Sequence, residues 1–399
     1  MSNGILKVDA DLSAVKEIQG IGGDTVKKCY QCATCSTVCP LSPDEAPFPR
    51  KQMILAQWGF REKLLSDPSV WLCHQCGDCT KYCPRNARPG DVLASLRLLV
   101  TKELLPFKFM NTLYSNLWGL PVLILIALAF ILPVMFLTFQ GVPNLLDPVS
   151  FPYNPEIHYK IGFIELPARV LMIDLVFVPL AAFVVILMAN AVSKMWNTYL
   201  EYYRIPQAYR LGAVTIIKSY LGPALKEILA HSRFEKCGAN SWRANPHKML
   251  FYAFVILFIT TGTVFFLADI LGMHTPWNPF THPVKWLGNV GGILLLYGII
   301  ALISGRNRAV LENSLKTAYP DAFLLWLILF VGITGFGIEV VRLVPVFFNF
   351  SAFVYLAHIV CVFLLFLAIP YGKFSHLVFR TTAVVFDLYY KDVIKKQSS

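Results

Sequence analysis

The sequence predicts a mostly α-helical protein in two parts. Residues 1–105 form a compact cysteine-rich helical domain, and residues 106–399 form a six-span transmembrane helical bundle. Two observations carry this prediction. Eight of the ten cysteines fall in two copies of one pattern within the first 84 residues. The chain is also 56% hydrophobic and only 15% charged, too apolar for a soluble globule. The apolar segments begin near Leu117 and leave the first hundred residues polar.

The repeated pattern is C-x-x-C-x-x-C-x-x-x-C-P. The first copy is Cys29, Cys32, Cys35, Cys39 and Pro40, and the second is Cys73, Cys76, Cys79, Cys83 and Pro84. Three thiolates two residues apart can wrap one corner of an iron–sulfur cube. In two-cluster ferredoxins the fourth cysteine of each run ligates the other cluster. The expected ligand sets are therefore Cys29, Cys32, Cys35 and Cys83 for one [4Fe–4S] cluster, and Cys73, Cys76, Cys79 and Cys39 for the other. The domain reads as helical and ferredoxin-like. Structural zinc takes paired C-x-x-C motifs rather than triples followed by a fourth cysteine and a proline. Disulfides require an oxidising compartment, and no cleavable secretory signal precedes these cysteines.

Residues 1–28 read as a lead-in with weak helical signal. Phe48 to Leu65 is expected to be a helix with Pro49 near its start, and Pro89 opens another over Asp91 to Leu105, with Val92, Leu96 and Leu99 on one face. Six apolar stretches follow, at roughly Leu117–Phe139, Ala168–Val192, Met249–Leu271, Lys285–Ser304, Asp321–Val341 and Phe353–Tyr371. Basic residues crowd one set of loops: Lys194, Arg204, Arg210, Lys218, Arg243 and Lys248, then Arg306, Arg308 and Lys316, then Lys373, Arg380 and Lys391 in the tail. The positive-inside rule places the cysteine-rich domain, the 193–248 loop and the C-terminus in the cytoplasm, with the spans in the inner membrane. The net charge of +11 is thus a topology signal and needs no nucleic-acid partner.

An electron-transfer domain fused to a helical bundle calls for a carrier inside the bilayer, and haem b held by two histidines on facing helices is the usual one. His358 lies one turn into the sixth span and His376 ends the same segment. On one continuous helix their separation is a whole number of turns, about 27 Å along the axis, which suits two haems b stacked across the membrane. His247 opens the third span on the side of His376 and is its expected partner, with His231 the weaker candidate. For His358 the outer loops offer His282, which directly precedes the fourth span, or alternatively His274. Carboxylates inside spans are costly and are functional candidates. Asp174, Asp269 and Glu339 lie at the outer ends of spans, with Lys285 beside them in sequence position. Asp174 is expected to pair with Arg169, and Glu339 with Arg342 at helical spacing. Together the carboxylates and Lys285 suggest a quinol site, a carboxylate taking the released proton and Lys285 polarising a quinone oxygen.

These residues carry a resemblance. The segments CYQCATCSTVCPLSPDEAPFPRKQMILAQWG and VWLCHQCGDCTKYCPRNARPGDVLASLR resemble the C subunit of heterodisulfide reductase. The pieces HIVCVFLLFLAIPYGKFSH and LGMHTPW resemble the cytochrome b of the heterodisulfide reductase E subunit and the nitrate reductase gamma subunit. Aligned on GMHTP, Ile259 and Asp269 stand where the gamma subunit has two histidines. Fusion of the halves resembles the C-subunit family of the quinone-interacting membrane-bound oxidoreductases. The resemblance implies two haems b, menaquinol as the substrate oxidised, flavin-containing partners related to heterodisulfide reductase A, and onward connection to adenylylsulfate reductase in sulfate respiration. The alternative is the membrane electron-transfer subunit of a heterodisulfide reductase-type thiol/disulfide complex.

Overall fold

The structure is a computed structural model. It describes residues 10–43, 47–138, 158–161, 164–231, 238, 241–273, 280–312, 316, 318–344 and 351–398. Helices dominate. Among the described residues they are joined by one antiparallel pair of four-residue strands, His158–Ile161 and Ile164–Pro167, in a loop that the sequence left without structure.

The N-terminal part packs four principal helices around the cysteine loops. The lead-in forms a helix over Leu12–Ile18, capped by Asp11, whose Oδ1 accepts from Ser13 N at 2.8 Å and Ala14 N at 3.2 Å. The helix expected from Phe48 to Leu65 is instead two, Arg50–Gln57 and Arg61–Leu65. The break falls at Gly59, whose φ of +69° is open to glycine, and where an added Cβ would stand 2.1 Å from Asp11 O. Pro89–Leu104 forms as expected, with Val92, Leu96 and Leu99 fully buried. Arg61 ties three helices together through Glu17 at 3.0 Å and Glu103 at 2.5 Å.

Among the described residues, five helices are long and apolar enough to cross a membrane: Ile173–Tyr202, Ser241–Ala268, Pro283–Leu311, Tyr319–Val341 and Phe353–Tyr371. The first expected span forms a helix over Gly119–Thr138, apolar but with fewer described side chains. Its apolar part, Gly119–Met135, is shorter than the other five, and it is numbered below as the first of the six expected spans. Spans three and four approach closely. A Cβ on Gly298 would lie 3.0 Å from both Leu250 N and Pro246 O, so only a small residue permits this contact.

One expectation is corrected here. His358 and His376 do not share a helix. The sixth span ends at Tyr371, Gly372 is extended at φ −101° and ψ −170°, a short 3-10 turn covers Lys373–Ser375, and His376 begins a separate helix that runs to Ser398. Pro370 weakens the helix end, and Ser375 Oγ donates to Gly372 O at 3.0 Å and fixes the turn. The axial separation reckoned along one helix therefore does not apply.

The two parts share one core. Trp71, 2% exposed, packs on Phe379 of the C-terminal helix with ring centroids 5.1 Å apart, and Arg380 of the same helix donates to Trp71 O at 3.1 Å. Truncating Trp71 to Ala removes a large ring from this junction. The expected cost is about 3–5 kcal/mol, read as earlier loss of iron–sulfur absorbance on heating. An unchanged melting profile would mean that the junction contributes little to stability.

Candidate functional site

The doubled cysteine pattern folds into doubled local geometry. In each copy the residue two after the first cysteine, Gln31 or Gln75, is left-handed, at φ 61° and 53°. Its N–H reaches back to that cysteine's sulfur, Gln31 N to Cys29 Sγ at 3.4 Å and Gln75 N to Cys73 Sγ at 3.3 Å. A second left-handed residue, Ala33 or Gly77, then starts a single helical turn, Thr34–Thr37 or Asp78–Lys81. The chain is thereby curled around a centre, with backbone N–H groups turned toward sulfur.

The structure brings Cys83 to Cys29, Cys32 and Cys35, and the four line one small cavity with Tyr30, Arg50 and Arg85. It places Cys39 beside Cys73 and Cys76, and Cys79 beside Cys73, Cys76 and Cys39. The two sites adjoin, since Cys35 is also close enough to Cys79 to act on its charge. Burial pushes the Cys35 thiol up to about 11 and the Cys39 thiol up to about 12. Thiolates at these positions need a compensating cation, as iron provides. Four thiols around each space, the fourth drawn from the other motif, form a donor set that fits a [4Fe–4S] cluster. The two sites differ in exposure. Cys32 is exposed, whereas Cys73, Cys76 and Cys79 are all buried.

Behind the Cys73 loop lies a cavity of about 230 Å³, bounded by Trp71, His74 and Gln75 on one side and by the ends of spans three to five and the C-terminal helix on the other. His231, His247 and His376 line it. Their hydrogen bonds fix their tautomers, because a carbonyl can only accept. His231 Nδ1 donates to Leu229 O at 3.0 Å, so its Nε2 accepts from His247 Nδ1 at 3.2 Å. His376 Nδ1 donates to Lys373 O at 2.7 Å. In the neutral rings of His247 and His376 the lone pair therefore sits on Nε2, the atom a metal takes. Burial, then the Arg380 charge, pushes the His376 pKa down to about 3, which keeps this ring neutral.

The His247 and His376 ring centroids are 6.4 Å apart. The donor set therefore fits a bis-histidine haem. The volume is just below the roughly 300–1,000 Å³ of ordinary ligand pockets, so the fit rests on the donors. His231 uses both ring nitrogens and orients His247 rather than joining it as a ligand. The sequence ranked His231 as the alternative ligand and did not foresee this supporting role.

At the far end of the bundle the structure brings together two of the four expected quinol residues. Lys285 Nζ lies 2.7 Å from Glu339 Oε2, joining spans four and five. The partner expected for Glu339 was Arg342, whose side chain lies outside the described residues, as do the side chains of Arg169 and Asp269. Asp174 is half-buried on span two. His358 hydrogen-bonds Thr334 Oγ1 through Nδ1 at 2.9 Å, and that hydroxyl donates to Phe330 O at 2.6 Å. Its Nδ1 thus carries the proton and its Nε2 the lone pair, as in the inner pair. The ring packs on Gly335, where a Cβ would come within 3.3 Å of Cε1. His282 stands at the N-cap position of the fourth-span helix, and His274 lies outside the described residues.

Comparison with known proteins separates the two halves. Residues 25–87 match the family profile described as a 4Fe-4S dicluster domain, and residues 222–391 match that of citrate utilization protein B. Citrate utilization protein B of Escherichia coli is 29% identical over 144 residues, 36% of this chain and 37% of that protein. The C subunit of the H(2):CoB-CoM heterodisulfide,ferredoxin reductase of Methanothermobacter thermautotrophicus is 35% identical over 96 residues, 24% of this chain and 51% of that subunit. An Archaeoglobus profundus protein described as like the C subunit of heterodisulfide reductase is 36% identical over 87 residues, 22% of this chain and 46% of that protein. The chain spans about half the length or less of these curated relatives. No solved structure matches it. The cysteine-rich half is thus similar to the subunits that its motifs resemble, while the membrane half matches a different profile from the cytochrome b subunits named by resemblance.

Proposed function

We propose that this chain is the membrane-bound electron-transfer subunit of a respiratory oxidoreductase complex, carrying two [4Fe–4S] clusters and two haems b. The observation that carries the reading is the contact between the Cys73 loop and the cavity holding His247 and His376. A buried cluster site and a haem-competent histidine pair share one wall, while the other cluster site opens to solvent at Cys32. Haem supplies one-electron storage within the bilayer depth, and the chain's residues set the order. Menaquinol would bind for oxidation at the outer end, beside His358. His247 and His376 would hold the inner haem, His358 with His282 or His274 would hold the outer one, and the two cysteine sets would hold the clusters, so that these residues lead from the quinol end to the exposed face at Cys32. The partners at that face would be soluble flavoprotein subunits related to heterodisulfide reductase A, with adenylylsulfate reductase as the onward acceptor.

Orientation follows from the charges. Arg243, Lys316 and Arg380 all contact the cluster domain, so the basic loops and the clusters lie on one side. By the positive-inside rule that side is cytoplasmic. At the outer end Lys285 orients the quinol oxygen, and Asp269, Asp174 and Glu339 are the carboxylates available to take its protons. A second reading, transfer within a thiol/disulfide complex, is favoured by the names of the relatives of the cluster domain.

The purified chain in detergent tests the proposal. A Soret band, broad iron–sulfur absorption and about eight non-haem irons are expected, and absence of the Soret band refutes the haem part. Reduction of the haems by a menaquinol analogue should slow about a hundredfold in Lys285→Ala or Asp269→Asn, the usual scale of general acid–base catalysis. Wild-type rates in both would move the quinol site to the inner end, and haems reduced through partner subunits by a dithiol alone would favour the second reading.

A further inference from the structure

Three arginines from separate parts of the chain converge on the backbone of the Cys73 loop. Arg97, on the Pro89–Leu104 helix, donates to Val70 O at 2.8 Å and to Cys73 O at 2.5 Å. Arg380, on the C-terminal helix, donates to Trp71 O at 3.1 Å and to Cys73 O at 2.9 Å. Arg243, at the entrance to the third span, donates to Gln75 O at 2.9 Å. Arg97 is buried, and all three line the histidine cavity. No arginine approaches the matching Cys29 loop in this way among the described hydrogen bonds; there Arg50 and Arg85 are exposed at the rim.

We infer that Arg97, Arg243 and Arg380 are positioning residues that raise the reduction potential of the Cys73 cluster and fix the loop between it and the histidine pair. The inference rests on the two-cluster reading above. Two physical effects act in the same direction. Reduction adds an electron to the cluster, and a guanidinium held one peptide away stabilises the added negative charge in a poorly screened interior. The hydrogen bonds also orient the peptides. In a trans peptide C=O and N–H point oppositely, so drawing the Cys73 and Gln75 carbonyls to the cavity side turns the His74 and Cys76 N–H groups away from the cavity, and in the same loop Gln75 N–H donates to Cys73 Sγ at 3.3 Å. N–H groups directed at cluster sulfurs raise the potential further. Asp78, beside Cys76 Sγ at 3.5 Å and accepting from Gly238 N at 3.0 Å, opposes this in part.

Arg380 and Arg243 come from the membrane part, so they can be changed without altering the cluster domain's own helices. Arg380→Gln, Arg243→Gln, the double variant and Arg380→Lys would be titrated electrochemically in the full-length chain, with both clusters followed by EPR. The expected result is a downward shift of the Cys73 cluster midpoint in each Gln variant and a larger one in the double. The Cys29 cluster should stay in place, and Arg380→Lys should recover part of the shift because it keeps the charge but not the forked geometry. Two intact cluster signals with unmoved midpoints in the double variant would overturn the inference and leave the two-cluster reading standing. Absence of cluster signals from the wild-type chain would refute that reading and this inference with it.

Discussion

Cys39→Ser is expected to delete the cluster shared with Cys73, Cys76 and Cys79 and to leave the one nearest to Cys39 in sequence. Non-haem iron should fall by about half, from about eight to about four per chain. The reason is spatial. Cys39 follows Cys35 by a single helical turn, yet its thiol stands beside Cys73 and Cys76, while Cys83 closes the set around Cys29. Burial raises the Cys39 thiol to about 12, so its thiolate forms there with iron, and a serine hydroxyl at the same depth is a far poorer donor. The two clusters can be told apart by exposure. The Cys29 site opens at Cys32 and should lose iron first to a hydrophilic chelator, whereas the Cys73 site is enclosed. The surviving iron in the variant should therefore be the chelator-sensitive fraction. If the remaining iron resists the chelator, the fourth cysteines are not exchanged between the motifs.

His376→Ala is expected to remove one of two haems and about half the Soret absorbance. His247→Ala should remove the same haem, since the two rings line one cavity with centroids 6.4 Å apart, both Nδ1 protons engaged and both lone pairs on Nε2. His231→Ala should act differently. Losing a partner that orients a ligand typically weakens metal affinity about 10–100-fold without abolishing the site, so haem should be lost on dilution and regained with added haemin. His358→Ala should remove the other haem. Full haem content in His247→Ala would exclude the inner pairing, and permanent loss in His231→Ala would make His231 a ligand.

The sequence alone determined what depends on short-range spacing and bulk polarity. The cysteine triplets set the two loop shapes, because each C-x-x-C turn forces the same left-handed residues wherever it occurs. The apolar runs set the spans, because length and hydropathy are one-dimensional quantities; the fifth and sixth end within a residue or two of where the sequence put them. It erred where a break depends on packing. Gly59 splits a helix because Asp11, far back in the chain, occupies its Cβ position. Gly372 separates His358 from His376 because the Lys373 turn docks against the bundle, with Lys373 paired to Asp321 on the fifth span.

Tertiary structure decided which distant side chains meet. His231 orients His247, Lys285 pairs with Glu339, and three arginines that carried no motif gather on the Cys73 carbonyls. In the sequence Arg243 and Arg380 were simply basic residues on one face of the membrane, and Arg97 was a helix position without distinction. Their roles arise because buried carbonyls freed by a cluster-binding loop need donors, and only the folded chain determines which helices stand close enough to supply them.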